Sequence, residues 1–280
     1  MCYAMQAFDS ASDPVYADGW QAGDNGGFGF TPWNFDARYD NFGQYANPGF
    51  KAIDDGLRSN TPTSSAFNNI GRAWAMGATP NDDGSNHVGR GFQLGVGETL
   101  QVTIDNPTVR QFFKGYFVRL NGGTGGVNGN ICSPGPNPCS PGGTPSPKLN
   151  ILTFEYFTNG AWSVIDAANS NPGMFDTDTA AAGAEINVKR TGVNNYDLLF
   201  RTLDGNKQFA AAGRTFESAG TEVDWIEFVF FNPPATVPAT DSNFFISKMS
   251  IVPEPGSLTL YVLTAGTLFG AARSRRRGEK

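Results

Sequence analysis

Residues 98–105 read ETLQVTID. Side chains of an extended chain point alternately to its two sides, so Leu100, Val102 and Ile104 share one face and Gln101 and Thr103 the other. That alternation predicts a β-strand with a dry face and a wet one. By contrast, IEFVFF at 226–231 is apolar on both faces and is expected in the middle of a sheet. Working outward, GRAWAMGA (71–78), VRQFFKGYFVRLN (109–121), LNILTFEYF (149–157), GAWSVID (160–166), AEINVKR (184–190), NNYDLLFRTLDG (194–205) and FFISKMSIV (244–252) are similar short runs, each closed by Gly, Asn, Asp or Pro. No stretch between them carries a 3.6-residue period. About a dozen strands without intervening helices predict an all-β, two-sheet β-sandwich of jelly-roll type.

The composition agrees. Of 280 residues, 39% are hydrophobic and 13% aromatic, only 16% are charged, and Gly (35), Pro (18) and Phe (23) are abundant, which favours turn-punctuated strands over solvated helices. The formal charge is −6, yet the last eight residues hold five of the 20 basic and one of the 26 acidic residues, leaving 15 against 25, or −10, for the remainder. A body of that sign has no broad attraction for phosphate backbones, and nucleic acid is excluded as a partner class.

The organisation follows from three departures from strand-like sequence. Residues 121–148, NGGTGGVNGNICSPGPNPCSPGGTPSPK, can serve no core and are expected to form a long exposed loop within one domain spanning 8–252. Cys132 and Cys139 flank a six-residue Pro-rich stretch there; in an oxidising compartment they can pair, the alternative being two free thiols. Residues 256–272 are uncharged and are followed by Arg273, Arg275, Arg276 and Arg277. As a helix, 257–272 would span roughly 24 Å against a roughly 30 Å hydrocarbon core, a short transmembrane span whose arginines stay cytoplasmic. At the other end, MCYAMQAFDS has neither a charged nor an apolar signal-peptide region, and residues 1–7 are expected to be the remnant of one cleaved near Ala7.

Pro253, Glu254 and Pro255, the short apolar span and the arginine cluster stand in the order of a PEP-CTERM sorting tail, which the segment 253–280 resembles. The resemblance implies a Gram-negative exported protein, recognised and processed at the inner membrane by an exosortase, in bacteria that make exopolysaccharide. Such a tail is sometimes labelled after an ice-binding protein that carries it, which gives no reason to infer ice binding. The blocks DPVYADGWQAGDNGGFGFTPWNF, IGRAWAMGA, GRGFQLGVGETLQV and SNFFISKMSIVPEP resemble in their order surface proteins with this tail, whose domain looks like a concanavalin-like jelly roll.

For chemistry, Glu222, Asp224 and Glu227 in TEVDWIEF resemble the signature core of family 16 glycoside hydrolases. The resemblance would make Glu222 the nucleophile, Glu227 the acid/base and Asp224 the residue tuning them. In a regular strand Glu222 and Glu227 face opposite ways, so this requires a β-bulge between them. The downstream pattern of that family is missing. His87, the single histidine, lies in NDDGSNHVG, which is expected to be a polar loop, and supports no Ser-His-Asp or multi-His site. Calcium is the one cofactor with candidate ligands: Asp82, Asp83 and Asn86 in that stretch, and Asp241 with Asn243 before the last strand, neither set with EF-hand spacing. Trp20, Phe28, Phe30, Trp33, Trp74, Trp162 and Trp225 could supply a sugar-stacking platform; most are expected in the core, with Trp20 and Trp33, set among Gly and Asn, expected at the surface. The expectation is a non-enzymatic protein of the cell surface or extracellular matrix that holds polysaccharide, with a family 16-like glycosidase as the alternative.

Overall fold

A computed structural model describes residues 5–16, 20–35, 49–52, 72–76, 85–105, 115–123, 149–156, 162–168, 183–231 and 244–254. In chain order its strands are β1 (Ala7–Ser10), β2 (Asn34–Phe35), β3 (Gly49–Ala52), β4 (Arg72–Met76), β5 (Ser85–Gly91), β6 (Glu98–Asp105), β7 (Gly115–Gly122), β8 (Leu149–Tyr156), β9 (Trp162–Ile165), β10 (Ala184–Arg190), β11 (Asn195–Thr202), β12 (Gln208–Thr215), β13 (Trp225–Phe231) and β14 (Phe244–Pro253). They form two antiparallel sheets. One has the order β12-β11-β10-β6-β14-β4-β3 with β1 also paired to β14, and the other the order β2-β5-β13-β7-β8-β9. The chain is thus an all-β, two-sheet sandwich, with β13 in the sheet interior between β5 and β7 as its two-sided apolar sequence predicts.

Aromatic side chains fill the space between the sheets. Tyr116 of β7 stacks on Phe244 of β14 with ring centroids 5.0 Å apart, Phe228 of β13 lies 6.3 Å from the same ring, and Trp162 of β9 meets Phe200 of β11 at 5.4 Å. Each such buried ring contributes about 1.5–3 kcal/mol by leaving water. In β6, Leu100, Val102 and Ile104 point into this core as the alternation requires, but Thr103 on the other face is also buried, so that face is only partly wet.

Two expectations change, and one strand carries no sequence signal. Asn86 and His87 lie in β5, paired with Phe230 and Val229, rather than in a loop; flanking Asp and Gly disguised an interior strand whose partner, β13, supplies the apolar character. The run QFAAAGRT carries little of the β-branched signal of a strand, yet forms edge strand β12, whose register against β11 is broken near Gly213, a residue at φ +66°. Trp20 and Trp33, expected at the surface, are 3% and 2% exposed. They pack on each other and on Trp74 at 4.9–6.0 Å.

The reason lies in the N-terminal segment, which straps across the sandwich margin: β1 joins the eight-stranded sheet and β2 the six-stranded one. Phe8 and Phe28 exchange both backbone hydrogen bonds at 2.9 Å. A Cβ on Gly27 would stand 1.9 Å from the Phe8 carbonyl oxygen, so the close approach requires glycine. The glycines that suggested a surface loop are what let the tryptophans fold inward.

The strap is fastened by charge. Arg90 of β5 and Asp9 of β1, both fully buried, form an ion pair through Nη1 and Oδ2. Arg90 also donates from Nη2 to Asn25 Oδ1 (2.6 Å) and from Nε to the Thr31 carbonyl (2.9 Å), and its guanidinium lies 4.6 Å from the Trp33 ring. The Tyr16 hydroxyl donates to Asp9 Oδ2 (2.6 Å) and accepts from the Gly26 N–H (2.9 Å) and Trp33 Nε1 (3.2 Å). Burial and the bond to Asp9 push the Tyr16 phenol well above its ordinary value, so it stays a donor. Burial also raises the Asp9 carboxyl, with Arg90 and Tyr16 pulling the other way; the pair fixes geometry more than it adds net stability. Replacing Asp9 by Ala would leave the guanidinium buried and uncompensated, so Asp9→Ala should lose about 3–5 kcal/mol of unfolding free energy in urea titration. A loss under about 1 kcal/mol, the size expected of an exposed pair, would show the strap is not held this way.

Candidate functional site

Where the strap meets the end of the six-stranded sheet there is a pocket of about 510 Å³, lined on the strap side by Gln6, Phe30 and Thr31 and opposite by Gln93, Asp224 and Trp225. Its backbone is fixed from several directions. The Thr31 N–H donates to the Gly91 carbonyl (2.9 Å), and the Gly91 N–H returns a bond to Thr31 Oγ1 (2.7 Å). Asp224 is bracketed by its own N–H donating to the Asn121 carbonyl (3.1 Å) and by the Phe92 N–H donating to its carbonyl (3.0 Å). Trp225 is half-buried; a Cβ on Gly89 would fall 2.6 Å from its Nε1, so the indole rests edge-down on a glycine of the neighbouring strand. The pocket combines aromatic surface with two exposed side-chain amides and a half-buried carboxylate. An apolar wall with a few placed polar groups suits a ligand having one C–H face and a rim of hydroxyls.

Trp225 also opens a second cluster. Ile226 and Phe228 point into the core, so Trp225, Glu227 and Val229 face away from the other sheet, beside Phe117 and Arg119 of β7 and Thr153 and Glu155 of β8. Arg119 Nη1 lies 3.6 Å from Glu227 Oε2, and its guanidinium sits 4.7 Å above the Phe117 ring. Burial raises the Glu155 carboxyl above the ordinary carboxylate value, while the Arg119 charge pulls it down.

This geometry bears on the glycosidase signature. Val223 and Ile226, three residues apart, are both in the core, so strict alternation is interrupted ahead of β13, which is the irregularity the signature requires. Yet Glu222 lies before the strand and is exposed, whereas Glu227 lies within it, is 1% exposed and is held by Arg119. Asp224 lines the pocket instead of sitting between two catalytic carboxylates. Retaining hydrolysis needs both glutamates at one water-accessible cleft, whereas Glu227 is buried and lies against the Arg119 guanidinium.

Of the remaining sequence candidates, Pro253 ends β14 and Glu254 follows it, donating its N–H to the Gly97 carbonyl (2.9 Å) and pairing with Lys189. Pro255, the arginine cluster at 273–277, Cys132, Cys139, Asp82, Asp83, Asp241 and Asn243 lie outside the described residues, and of Asn86 only the backbone is described. Among the described residues no group of three or more His, Cys, Asp or Glu side chains could hold a metal ion, and no helix is long and apolar enough to cross a membrane. The sequence reading missed Gln6, Thr31 and Gln93, which carry no pattern, and also Arg119 and Glu155. A charge inside the apolar runs YFVRLN and LTFEY is a signal that could have found those last two.

No protein-family model matches the chain, and no curated protein matches it in sequence. Among solved structures it is similar to the Emp46p carbohydrate recognition domain in its potassium-bound form (14% identity, TM-score 0.36, covering 64% of this chain and 82% of that one). It is also similar to a legume lectin-like domain from Entamoeba histolytica (11% identity, TM-score 0.37, covering 76% and 97%). A third is a protein solved in work on endo-acting O-glycanases that human gut microbiota express to initiate mucin breakdown (10% identity, TM-score 0.44, covering 89% and 99%).

Because the indole of Trp225 rests on Gly89, Gly89→Ala should displace it. The expected outcome is a loss of about 1–3 kcal/mol, as for overpacking elsewhere, with a change in tryptophan emission that is absent when the same substitution is made in a Trp225→Phe background. Unchanged stability and emission would contradict the seating of Trp225.

Proposed function

We propose that the chain is an exported, non-enzymatic surface protein that holds a neutral polysaccharide in the pocket between the N-terminal strap and Trp225, and that residues 253–280 are an exosortase-processed sorting tail. The observation carrying the binding half is the pocket itself, with aromatic rings, the Gln6 and Gln93 amides and the Asp224 carboxylate on a backbone fixed by the strap. Net charge narrows the ligand class: a body at −10 repels uronic-acid polymers at long range, leaving neutral sugars favoured. Sequestration of Glu227 by Arg119, with Glu222 out in solvent, favours binding over hydrolysis. The sorting half rests on the order of Pro253, Glu254, Pro255, the uncharged run and the arginines.

Trp225→Ala should weaken binding to immobilised neutral glucans by about 1–2 kcal/mol, roughly tenfold in affinity, when measured well below its own unfolding midpoint, while Glu222→Gln leaves binding intact. Cleavage of mixed-linkage or β-1,3-glucan by the purified protein, abolished in Glu222→Gln, would overturn the non-enzymatic reading.

For the tail, full-length protein given a working signal peptide should pass briefly through the inner membrane and be recovered beyond it without its arginines. Changing Pro253 and Pro255 to Ala should trap unprocessed protein in the membrane. Mature extracellular protein whose C-terminal peptide still ends in Lys280 would refute the processing.

A further inference from the structure

Two of the most exposed large apolar side chains, Val96 at 58% and Val193 at 60%, stand at the same end of the eight-stranded sheet. Val96 tops the turn entering β6 and Val193 the turn between β10 and β11; β6 and β10 are antiparallel neighbours, so the start of one lies beside the end of the other. One guanidinium grips both turns. Arg190, nine-tenths buried, donates from Nη1 to the Leu94 carbonyl (2.9 Å), from Nη2 to the carbonyls of Val193 (3.0 Å) and Thr221 (3.2 Å), and from Nε to the Gly192 carbonyl (3.2 Å). The Gly97 N–H donates to the Arg190 carbonyl (2.7 Å), and Glu98 closes the first turn by accepting the Gly95 N–H (2.7 Å). The valines are therefore held out on rigid turns, where side chains on a mobile loop would fold down.

The chain leaves the domain at this same end. Pro253 pairs with Glu98, and Glu254 is pinned to the Gly97 carbonyl and to Lys189. The uncharged run 256–272 begins two residues later, at most about 7 Å of extended chain away. Glu98 and Lys189 beside the turns have polar partners of their own, which lowers the cost of bringing the two valines against an apolar surface.

We infer that this end of the sandwich is a membrane seat: before tail processing, Val96 and Val193 dip into the headgroup and upper acyl region of the bilayer that holds 256–272. Two valines alone are too little apolar area to bind a membrane. A short tether raises their effective concentration at the lipid surface, so little intrinsic affinity is needed. This inference rests on reading 256–272 as a span.

The test uses the full chain, with Cys2, Cys132 and Cys139 changed to Ser and a single probe cysteine from Val96→Cys, Val193→Cys or Asn206→Cys, labelled with an environment-sensitive fluorophore and reconstituted into phosphatidylcholine vesicles. Asn206 lies in the β11–β12 turn at the far end of the sheet, roughly 25 Å away along an eight-residue strand. The expected result is protein that floats with the vesicles, with blue-shifted emission quenched by shallow spin-labelled lipid at positions 96 and 193 and neither effect at 206. Protein that floats but gives unquenched emission at 96 and 193, blue-shifted or not, overturns the seat and leaves the span standing. Protein that does not float overturns both.

Discussion

The Asp9–Arg90 ion pair is the constraint on which the rest of the architecture depends. It joins a residue of the first strand to one in the opposite sheet, and neither can be solvated where it lies, since both are fully buried. Two charges taken out of water regain their cost only if their remaining donors and acceptors are filled. Here they are filled by Asn25, Thr31, Ser10 and Tyr16, all from the N-terminal segment. The requirement to satisfy one guanidinium therefore constrains the segments 9–16 and 20–33, and with them the burial of Trp20 and Trp33 and the position of Phe30 and Thr31 in the pocket wall.

The same device recurs at two other margins. Arg190 ties the β10–β11 turn to the segments around Leu94 and Thr221, which flank the six-stranded sheet. Arg214 of β12 donates to Asp166 Oδ2 (2.7 Å), which also accepts the Tyr196 hydroxyl (2.8 Å), while the Ala167 N–H donates to the Thr215 carbonyl; the edge of one sheet is thereby fastened to the edge of the other. Aromatic packing between the two inner faces supplies the non-directional attraction between the sheets. It says little about their relative slide or rotation. Three arginines with directional forks fix what the rings leave free. The side chains lining the pocket then sit on a frame held at its margins, the kind of preorganisation that the proposed binding would draw on.

Much of the sandwich was legible because its strands carry a local code. ETLQVTID, AEINVKR and NNYDLLFRT show alternation that survives folding as β6, β10 and β11, and the two-sided apolar run at 226–231 correctly marks an interior strand. What was not legible depends on partners distant in sequence. β12 owes its existence to hydrogen bonds from β11 rather than to its own alanines. Tryptophans among glycines look exposed until it is known that the glycines permit the Phe8–Phe28 exchange that folds them in. The candidate site was half visible: Asp224 and Trp225 stood inside a suggestive motif, but the motif directed attention to Glu222 and Glu227, whose surroundings differ. Gln6, Thr31 and Gln93 became site residues only when the strap brought three distant segments together.

Trp225 is the one tryptophan of five that is not in the buried core; Trp20, Trp33, Trp74 and Trp162 all are. Indole ¹⁵N–¹H spectra recorded during titration with neutral oligosaccharides therefore test the central claim directly. If the pocket between the strap and β13 is the binding site, the Trp225 resonance shifts and saturates while the other four stay in place. Saturable binding that leaves the Trp225 resonance unmoved would contradict it.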